Sequence, residues 1–144
     1  DALEQSDAIC TALQLANFWQ DLSVDTRRGR LYVPLSDCAR RGVAPASLLA
    51  GHDSTEARVL IAEMLAWTRS MMLRGAPLAH RVRGRAGWEL RLVVQGGLRI
   101  LHKIEQGGFD SIRRRPTLRW ADAPALAWRV LAMRPPRFAR EEPA

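Results

Sequence analysis

Apolar residues recur three and four positions apart over several long stretches, and this spacing constrains the fold more than any other feature of the chain. Each stretch would bury one face as an α-helix. The period-two alternation of a half-buried β-strand is scarce. Of the 144 residues 47% are apolar, which is enough to bury a sizeable core, and the length suits one domain or part of a larger one. We therefore predict an all-α protein.

The four longest periodic windows predict helices over residues 3–25, 54–74, 87–106 and 122–133. Ser6 or Asp7 is the expected cap of the first helix, whose end is predicted near Gly29. Asp53 and Glu56 have the N-cap to N3 spacing of a capping box at the second helix. The apolar face of that second helix is predicted to be wide because it includes large side chains such as a tryptophan at position 67.

Two adjacent glycines, Gly96 and Gly97, lie in the middle of the third predicted helix. Each costs a helix interior about 1 kcal/mol relative to alanine. The pair therefore predicts either a kink or the close approach of another helix or a ligand.

Four polar residues form one line on the first predicted helix, and we call them the polar stripe: Gln14, Asn17, Asp21 and Asp25. At about 100° per residue they fall within about 80° of one another. Two carboxylates four residues apart repel each other unless a cation lies between them. Mg²⁺ favours such carboxylate oxygens together with phosphate and water oxygens. Spacing alone leaves two interpretations open, a magnesium site or an acidic stripe facing solvent, and by itself favours the second.

The chain is strongly basic, with a formal net charge of +7, and Lys103 is the only lysine among its 22 basic residues. The arginine excess suits phosphate groups, nucleic acid or an anionic membrane, and it is equally expected from arginine-rich codon usage. Cys10 and Cys38 lack metal-ligand spacing, and no apolar run is long enough to span a bilayer. We expect a cytoplasmic protein. Two interpretations of the basic segment 81–85 stay open, contact with the inner face of the membrane and a plain solvated loop, and the second is favoured.

The polar stripe belongs to a longer pattern with fixed gaps: Gln14, Asn17, Asp21, Asp25, Arg30, Tyr32 and Pro34. This pattern resembles the second aspartate-rich signature of the squalene/phytoene synthase family, and the similarity extends to residue 134. The resemblance implies an all-α isoprenoid-synthase helical bundle, of which this chain would be the C-terminal portion. Residues 1–134 would then be the synthase part and residues 135–144 a frayed tail.

The same resemblance implies an isoprenoid diphosphate substrate and Mg²⁺ as the cofactor. It assigns catalytic roles to Asp21, Asp25 and Tyr32, magnesium ligation to Asn17, Asp21 and Asp25, and substrate binding to Gln14, Asn17, Arg30, Arg113 and Arg114. The last two belong to the arginine run, residues 113–115, which is equally well explained as a solvated helix start. Metal and arginine would stabilise the leaving diphosphate, while apolar helix faces would shield the carbocation.

Within the family, the segments FWQD and SDAICTALQL resemble most the hydroxysqualene synthases of the hopanoid pathway. Gln20 and Cys10 replace residues usual in the family signature, and Gly97 stands where many members have tyrosine. The expected reaction is hydration of presqualene diphosphate to hydroxysqualene with loss of diphosphate. The alternatives are a presqualene diphosphate or phytoene synthase, a degenerate partner subunit, and a basic helical nucleic-acid-binding module. The acidic stripe opposes the last, so no nucleic acid is expected.

The sequence contains no second pair of acidic residues four positions apart. The resemblance places the first aspartate motif of the family upstream, in an N-terminal half that would be the partner of this chain. We therefore predict that residues 1–144 alone are inactive on presqualene diphosphate.

Overall fold

The computed structural model describes residues 1–133, which fold into helices and connecting turns without a strand in that range. The α-helices are α1 (Ala2–Gln20), α2 (Leu22–Asp25), α3 (Leu35–Arg40), α4 (Pro45–Leu49), α5 (Thr55–Gly75), α6 (Leu78–Arg81), α7 (Gly84–Gln106) and α8 (Ala123–Ala132). Short 3₁₀ turns follow α2 (Thr26–Arg28) and precede α8 (Trp120–Asp122). The all-α prediction is confirmed. The tail predicted for residues 135–144 lies outside the described residues.

Three long helices carry the core. Helix α1 packs chiefly against α5, and α7 lies against both. One buried cluster includes Trp19 and Leu65, and a second, nearer the start of α1, includes Ile9 and Met72. Within residues 1–133, no helix combines the length and the hydropathy that crossing a lipid bilayer requires.

A buried hydrogen bond joins α1 to α5. The indole Nε1–H of Trp19 donates to Thr68 Oγ1 at 2.8 Å, and the Thr68 hydroxyl donates to the Met64 carbonyl at 2.8 Å. Leaving such a buried donor unpaired would cost about 1–3 kcal/mol. Because Trp19 faces the core, helical geometry turns Asn17 and Asp21 toward another side of α1.

Helix α7 is continuous through its two central glycines, and one of them allows other side chains to approach closely. A Cβ at Gly97 would lie 2.7 Å from Met72 Cε and 3.1 Å from Leu13 Cδ2. A Cβ at Gly96 would meet no atom within 4 Å. Of the two predicted reasons for the glycine pair, the structure shows helix contact at Gly97.

The limits of the first helix differ from the prediction. Asp1 caps α1 through a capping box, so the helix begins before the predicted caps Ser6 and Asp7. The helix also bends at Asp21, where α1 ends and the separate turn of α2 follows. Gly29 closes this region with φ of 71°, as predicted from its place in the sequence.

The cap of the second long helix is Ser54, one residue later than the predicted Asp53. Ser54 caps α5 by accepting a hydrogen bond from the backbone, whereas the Asp53 carboxylate binds Arg58 and Arg113. A carboxylate held by two guanidinium groups is not free to cap a helix. The apolar face of α5 is also narrower than predicted, since Trp67 is 53% exposed among the described residues.

Candidate functional site

The polar stripe keeps its helical spacing through the bend at Asp21. The Asp21 N–H donates to the Asn17 carbonyl at 2.9 Å, and the Asp25 N–H donates to the Asp21 carbonyl at 2.9 Å. At the bend the Asp21 backbone departs from helical angles, with φ of −94° and ψ of 7°, while the two hydrogen bonds keep the helical spacing. The amide and the two carboxylates therefore follow one another along one face.

A groove of about 360 Å³ lies between α1 and α7, next to the polar stripe. Asn17 and Gln20 supply its polar atoms from α1, while Gly96 and Gly97 line it from α7. The remaining lining is apolar and includes Leu118. The groove therefore combines a polar edge with apolar walls, which suits a ligand with an anionic head and a hydrocarbon chain.

The last residue of the arginine run reaches the stripe. Arg115 Nε donates to Asp21 Oδ1 at 2.6 Å, and this bond raises the pKa of the guanidinium further above its usual value. Beside it, Gln20 Nε2 donates to the Pro116 carbonyl at 2.8 Å. These two contacts hold the segment 115–116 against the end of α1.

The other two arginines of the run point elsewhere. Arg113 donates to Asp53 Oδ2 at 2.7 Å and to Asp110 Oδ1 at 3.2 Å. The Arg114 side chain is 87% exposed, and its Nε lies 3.8 Å from Asp110 Oδ2. Hydrogen bonding to Arg58 is the main cause that lowers the pKa of the Asp53 carboxyl. The sequence singled out Arg113 and Arg114 as ligands of the substrate, whereas the structure brings Arg115 to the stripe.

The segment after Gly29 folds back along α1. The Arg30 N–H donates to the Asp25 carbonyl at 2.9 Å. The Tyr32 ring stacks on Phe18 of α1 with 4.2 Å between centroids and 5° between ring planes, and 43% of Tyr32 stays exposed. The side chains of Gln14 and Arg30 are exposed. Residues far along the signature are thereby brought beside the helix that carries the stripe.

The stripe fits part of a magnesium site. Asn17, Asp21 and Asp25 offer an amide oxygen and two carboxylates, and the Asp25 carboxylate makes no ion pair within residues 1–133. In that same range no group of three or more His, Cys, Asp or Glu side chains could enclose a metal. Mg²⁺ is usually held by one or two carboxylates plus phosphate and water, so this set suits one wall of such a site.

A buried carboxylate behind the arginine run was not singled out by the sequence. Asp122 accepts hydrogen bonds from Lys103 at 2.5 Å, from the Arg119 N–H at 2.8 Å and from Arg99 at 2.8 Å. These bonds, that of Lys103 first, hold the pKa of the Asp122 carboxyl well below its usual range. Lys103 also donates to the Thr117 carbonyl at 2.7 Å. The network fixes the segment that follows Arg115. The only sequence signal for it is the four-residue spacing of the two cations on α7.

Comparison with known proteins is consistent with this geometry. The squalene/phytoene synthase family profile matches residues 1–122. A phytoene synthase of Thermus thermophilus is 36% identical over 129 residues, which cover 88% of this chain and 44% of that protein. Phytoene synthase 3 (chloroplastic) of Zea mays is 28% identical over 108 residues, or 75% of this chain and 25% of its own. For a phytoene synthase of Arthrospira platensis the identity is 28% over 112 residues, or 78% and 36%.

The chain thus spans less than half the length of these curated relatives. No solved structure is significantly similar to it.

Proposed function

Because the chain belongs to the squalene/phytoene synthase family of prenyltransferase-type enzymes, we propose that it forms one wall of a site where a prenyl diphosphate loses its diphosphate group. One observation carries the proposal: Asn17 lines the apolar groove between α1 and α7, and Asp21 and Asp25 follow it at helical spacing. Bound Mg²⁺ would supply neutralisation of the diphosphate charge and so make it a better leaving group.

The residues of this chain would have separate roles in metal binding, substrate orientation and exclusion of water. Asn17, Asp21 and Asp25 would hold the metal and orient the anionic head of the substrate. When the carbon–oxygen bond breaks, its electron pair leaves with the diphosphate and a carbocation remains on the hydrocarbon. The apolar walls of the groove exclude water from that cation until it has rearranged or joined a second chain. Arg30 and Tyr32, which are exposed beside the stripe, are further candidates for contact with the diphosphate.

The leading candidate reaction is the head-to-head joining of two prenyl diphosphates, as in a phytoene or presqualene diphosphate synthase. It is supported by the relatives, which are named phytoene synthases. A second candidate, hydration of presqualene diphosphate to hydroxysqualene, is supported by Gly97. Gly97 leaves the groove without the tyrosine that many family members have there, and a Cβ at this position would require the ends of the Met72 and Leu13 side chains to shift.

Two further elements belong to the proposal. The other wall of the site, with the first aspartate motif, would come from the N-terminal half of the full chain.

The exposed arginines at 81, 83 and 85 precede Trp88, which is 48% exposed. Basic residues beside an exposed tryptophan suit peripheral contact with an anionic membrane, which would serve an apolar product.

The test uses the full chain with Mg²⁺ and mass spectrometry of the products. We expect Asp21→Asn and Asp25→Asn each to lower turnover by about 10²-fold or more, because each removes a carboxylate that would hold the Mg²⁺ that neutralises the diphosphate. Asp37→Asn is the matched control, since that carboxylate lies on α3 and pairs with Arg40 at 2.7 Å. Undiminished turnover in both stripe variants would refute the proposal.

The substrate accepted separates the two candidate reactions. Consumption of linear prenyl diphosphates supports the joining reaction. Conversion of presqualene diphosphate to an alcohol, with no use of linear substrates, supports the hydration.

A further inference from the structure

The Arg115 guanidinium lies at the polar stripe, where a metal cation is expected. Its Nε lies 2.6 Å from Asp21 Oδ1, and within residues 1–133 it is the one cationic side chain paired with either stripe carboxylate. The two side chains are 48% and 34% exposed, so the pair is partly open to solvent. A divalent metal on Asp21 would lie a few ångströms from this guanidinium and repel it. The metal and Arg115 therefore compete for one carboxylate.

The opposite side of Arg115 borders a pocket of about 180 Å³. Lys103, Asp110, Arg114 and the buried Ser111 also line it, and the Ser111 hydroxyl has no hydrogen-bond partner in the described part of the chain. Lys103 is fixed there by its bond to Asp122, and the Asp110 carboxylate already pairs with Arg113 and Arg114. A displaced Arg115 would meet cations and an already paired carboxylate on this side, so it needs an incoming anion to remain near the site. A diphosphate supplies that charge, and a guanidinium binds phosphate through two parallel hydrogen bonds.

We propose that Arg115 is the internal counter-ion of Asp21, which the metal displaces and which then binds the diphosphate that arrives with the metal. This inference rests on the function proposed above. Arg115 acts first as a positioning residue, because it holds Asp21 beside Asp25 against their mutual repulsion before any metal binds. The exchange links the two ligands: the metal releases the guanidinium, and the anion accepts it.

The experiment measures Mn²⁺ binding to the full chain by the electron paramagnetic resonance signal of free Mn²⁺, with Mn²⁺ standing in for Mg²⁺. We expect Arg115→Gln to bind Mn²⁺ about fivefold more tightly than wild type without an anion, because a competing ion pair is gone. Arg115→Lys keeps the charge and should restore weaker binding. Arg114→Gln removes the same charge from the exposed neighbour and should leave Mn²⁺ affinity unchanged.

Inorganic pyrophosphate provides the second readout. It should tighten Mn²⁺ binding by a larger factor in wild type than in Arg115→Gln, since only wild type has a guanidinium to transfer. A merely structural arginine would not change this coupling. Equal Mn²⁺ affinity and equal coupling in wild type and Arg115→Gln would overturn the inference.

The failure of the inference can be told from the failure of the proposed function. If Asp21→Asn and Asp25→Asn abolish Mn²⁺ binding while Arg115→Gln behaves as wild type, only the inference fails. If Mn²⁺ binding is indifferent to Asp21 and Asp25, the proposed function fails and the inference with it.

Discussion

At the scale of single residues, Asp122 balances the charges behind the arginine run. It is 4% exposed, and its carboxylate lies against Lys103 and Arg99, whose side chains are 19% and 20% exposed. We expect Asp122→Asn to lower the melting temperature at neutral pH, because both cations would lose their counter-ion in a largely buried place. Glu89→Gln, which removes an exposed partner of Arg85, should change the melting temperature little.

The effect of Asp122 on stability should depend on pH in one direction. Its folded pKa is lowered, so its stabilisation is complete above the ordinary Asp pKa of about 3.9 and is lost as pH falls toward the folded value. The difference in melting temperature between wild type and Asp122→Asn should therefore stay constant from neutral pH down to about 5 and begin to decrease below about 4. Circular dichroism melts across this range measure it. A gap that widens in acid would contradict the assignment.

Which arginine meets the stripe could not be predicted from the sequence. The run was recognised as a group, but its three side chains diverge in an irregular turn where no helical period sets their directions. That turn begins at Phe109, whose φ of 62° is unusual for a bulky residue. Arg113 then binds Asp53 and Asp110, whereas Arg115 binds Asp21. These long-range contacts have no local signal.

At the scale of elements, the two glycines in α7 predict different mutational effects. Gly96→Ala should stabilise the protein by up to about 1 kcal/mol, since alanine favours a helix and its Cβ meets nothing. Gly97→Ala gains the same propensity, but its Cβ would lie 2.7 Å from Cε of the buried Met72, so that side chain must move and we expect less stabilisation than at Gly96. Urea denaturation of the two variants measures the difference, and each is the control for the other. Equal effects would contradict the packing described for α7.

Helix positions were predictable from periodicity, and several helix ends lie within one residue of the prediction, whereas the capping residues and the bend at Asp21 were not predicted. The four long windows correspond to α1 with α2, α5, α7 and α8. Whether a residue caps a helix depends on which partner its side chain binds. Asp53 shows this, because Arg113, 60 positions away, binds the carboxylate that was predicted to cap α5. The bend at Asp21 had no glycine or proline to announce it. Its carboxylate contacts Arg115, 94 positions along the chain.

At the scale of the whole molecule, we expect residues 1–144 alone to show no turnover of prenyl diphosphates, as the sequence suggested. The described residues provide one acidic wall, and a diphosphate with its metal ions needs more charge than two carboxylates supply. Product analysis by mass spectrometry of this chain beside the full chain measures the difference. Clear turnover by the isolated chain would contradict the division of the site between two halves.

The family could be read from the sequence, but its branch could not. Under the proposed function the stripe would bind the diphosphate, which is chemistry common to the family, whereas the product would depend on a few groove residues such as Gly96 and Gly97. The curated relatives are named phytoene synthases, so they favour the alternative over the hopanoid branch that the sequence suggested first. Ion pairs such as Arg69 with Glu105 neutralise part of the basic charge. No observation on the described residues supports the nucleic-acid alternative.

Gly96 also bears on how such a groove can diversify over evolutionary time. It lines the groove, and a Cβ placed there would meet no other atom within 4 Å. Most positions that face a ligand also support the fold, so a change in specificity there carries a cost in stability. At Gly96 the two are separable. If the groove holds the hydrocarbon as proposed, one codon change to a small side chain such as alanine would fill part of that space while the helices stay packed as they are.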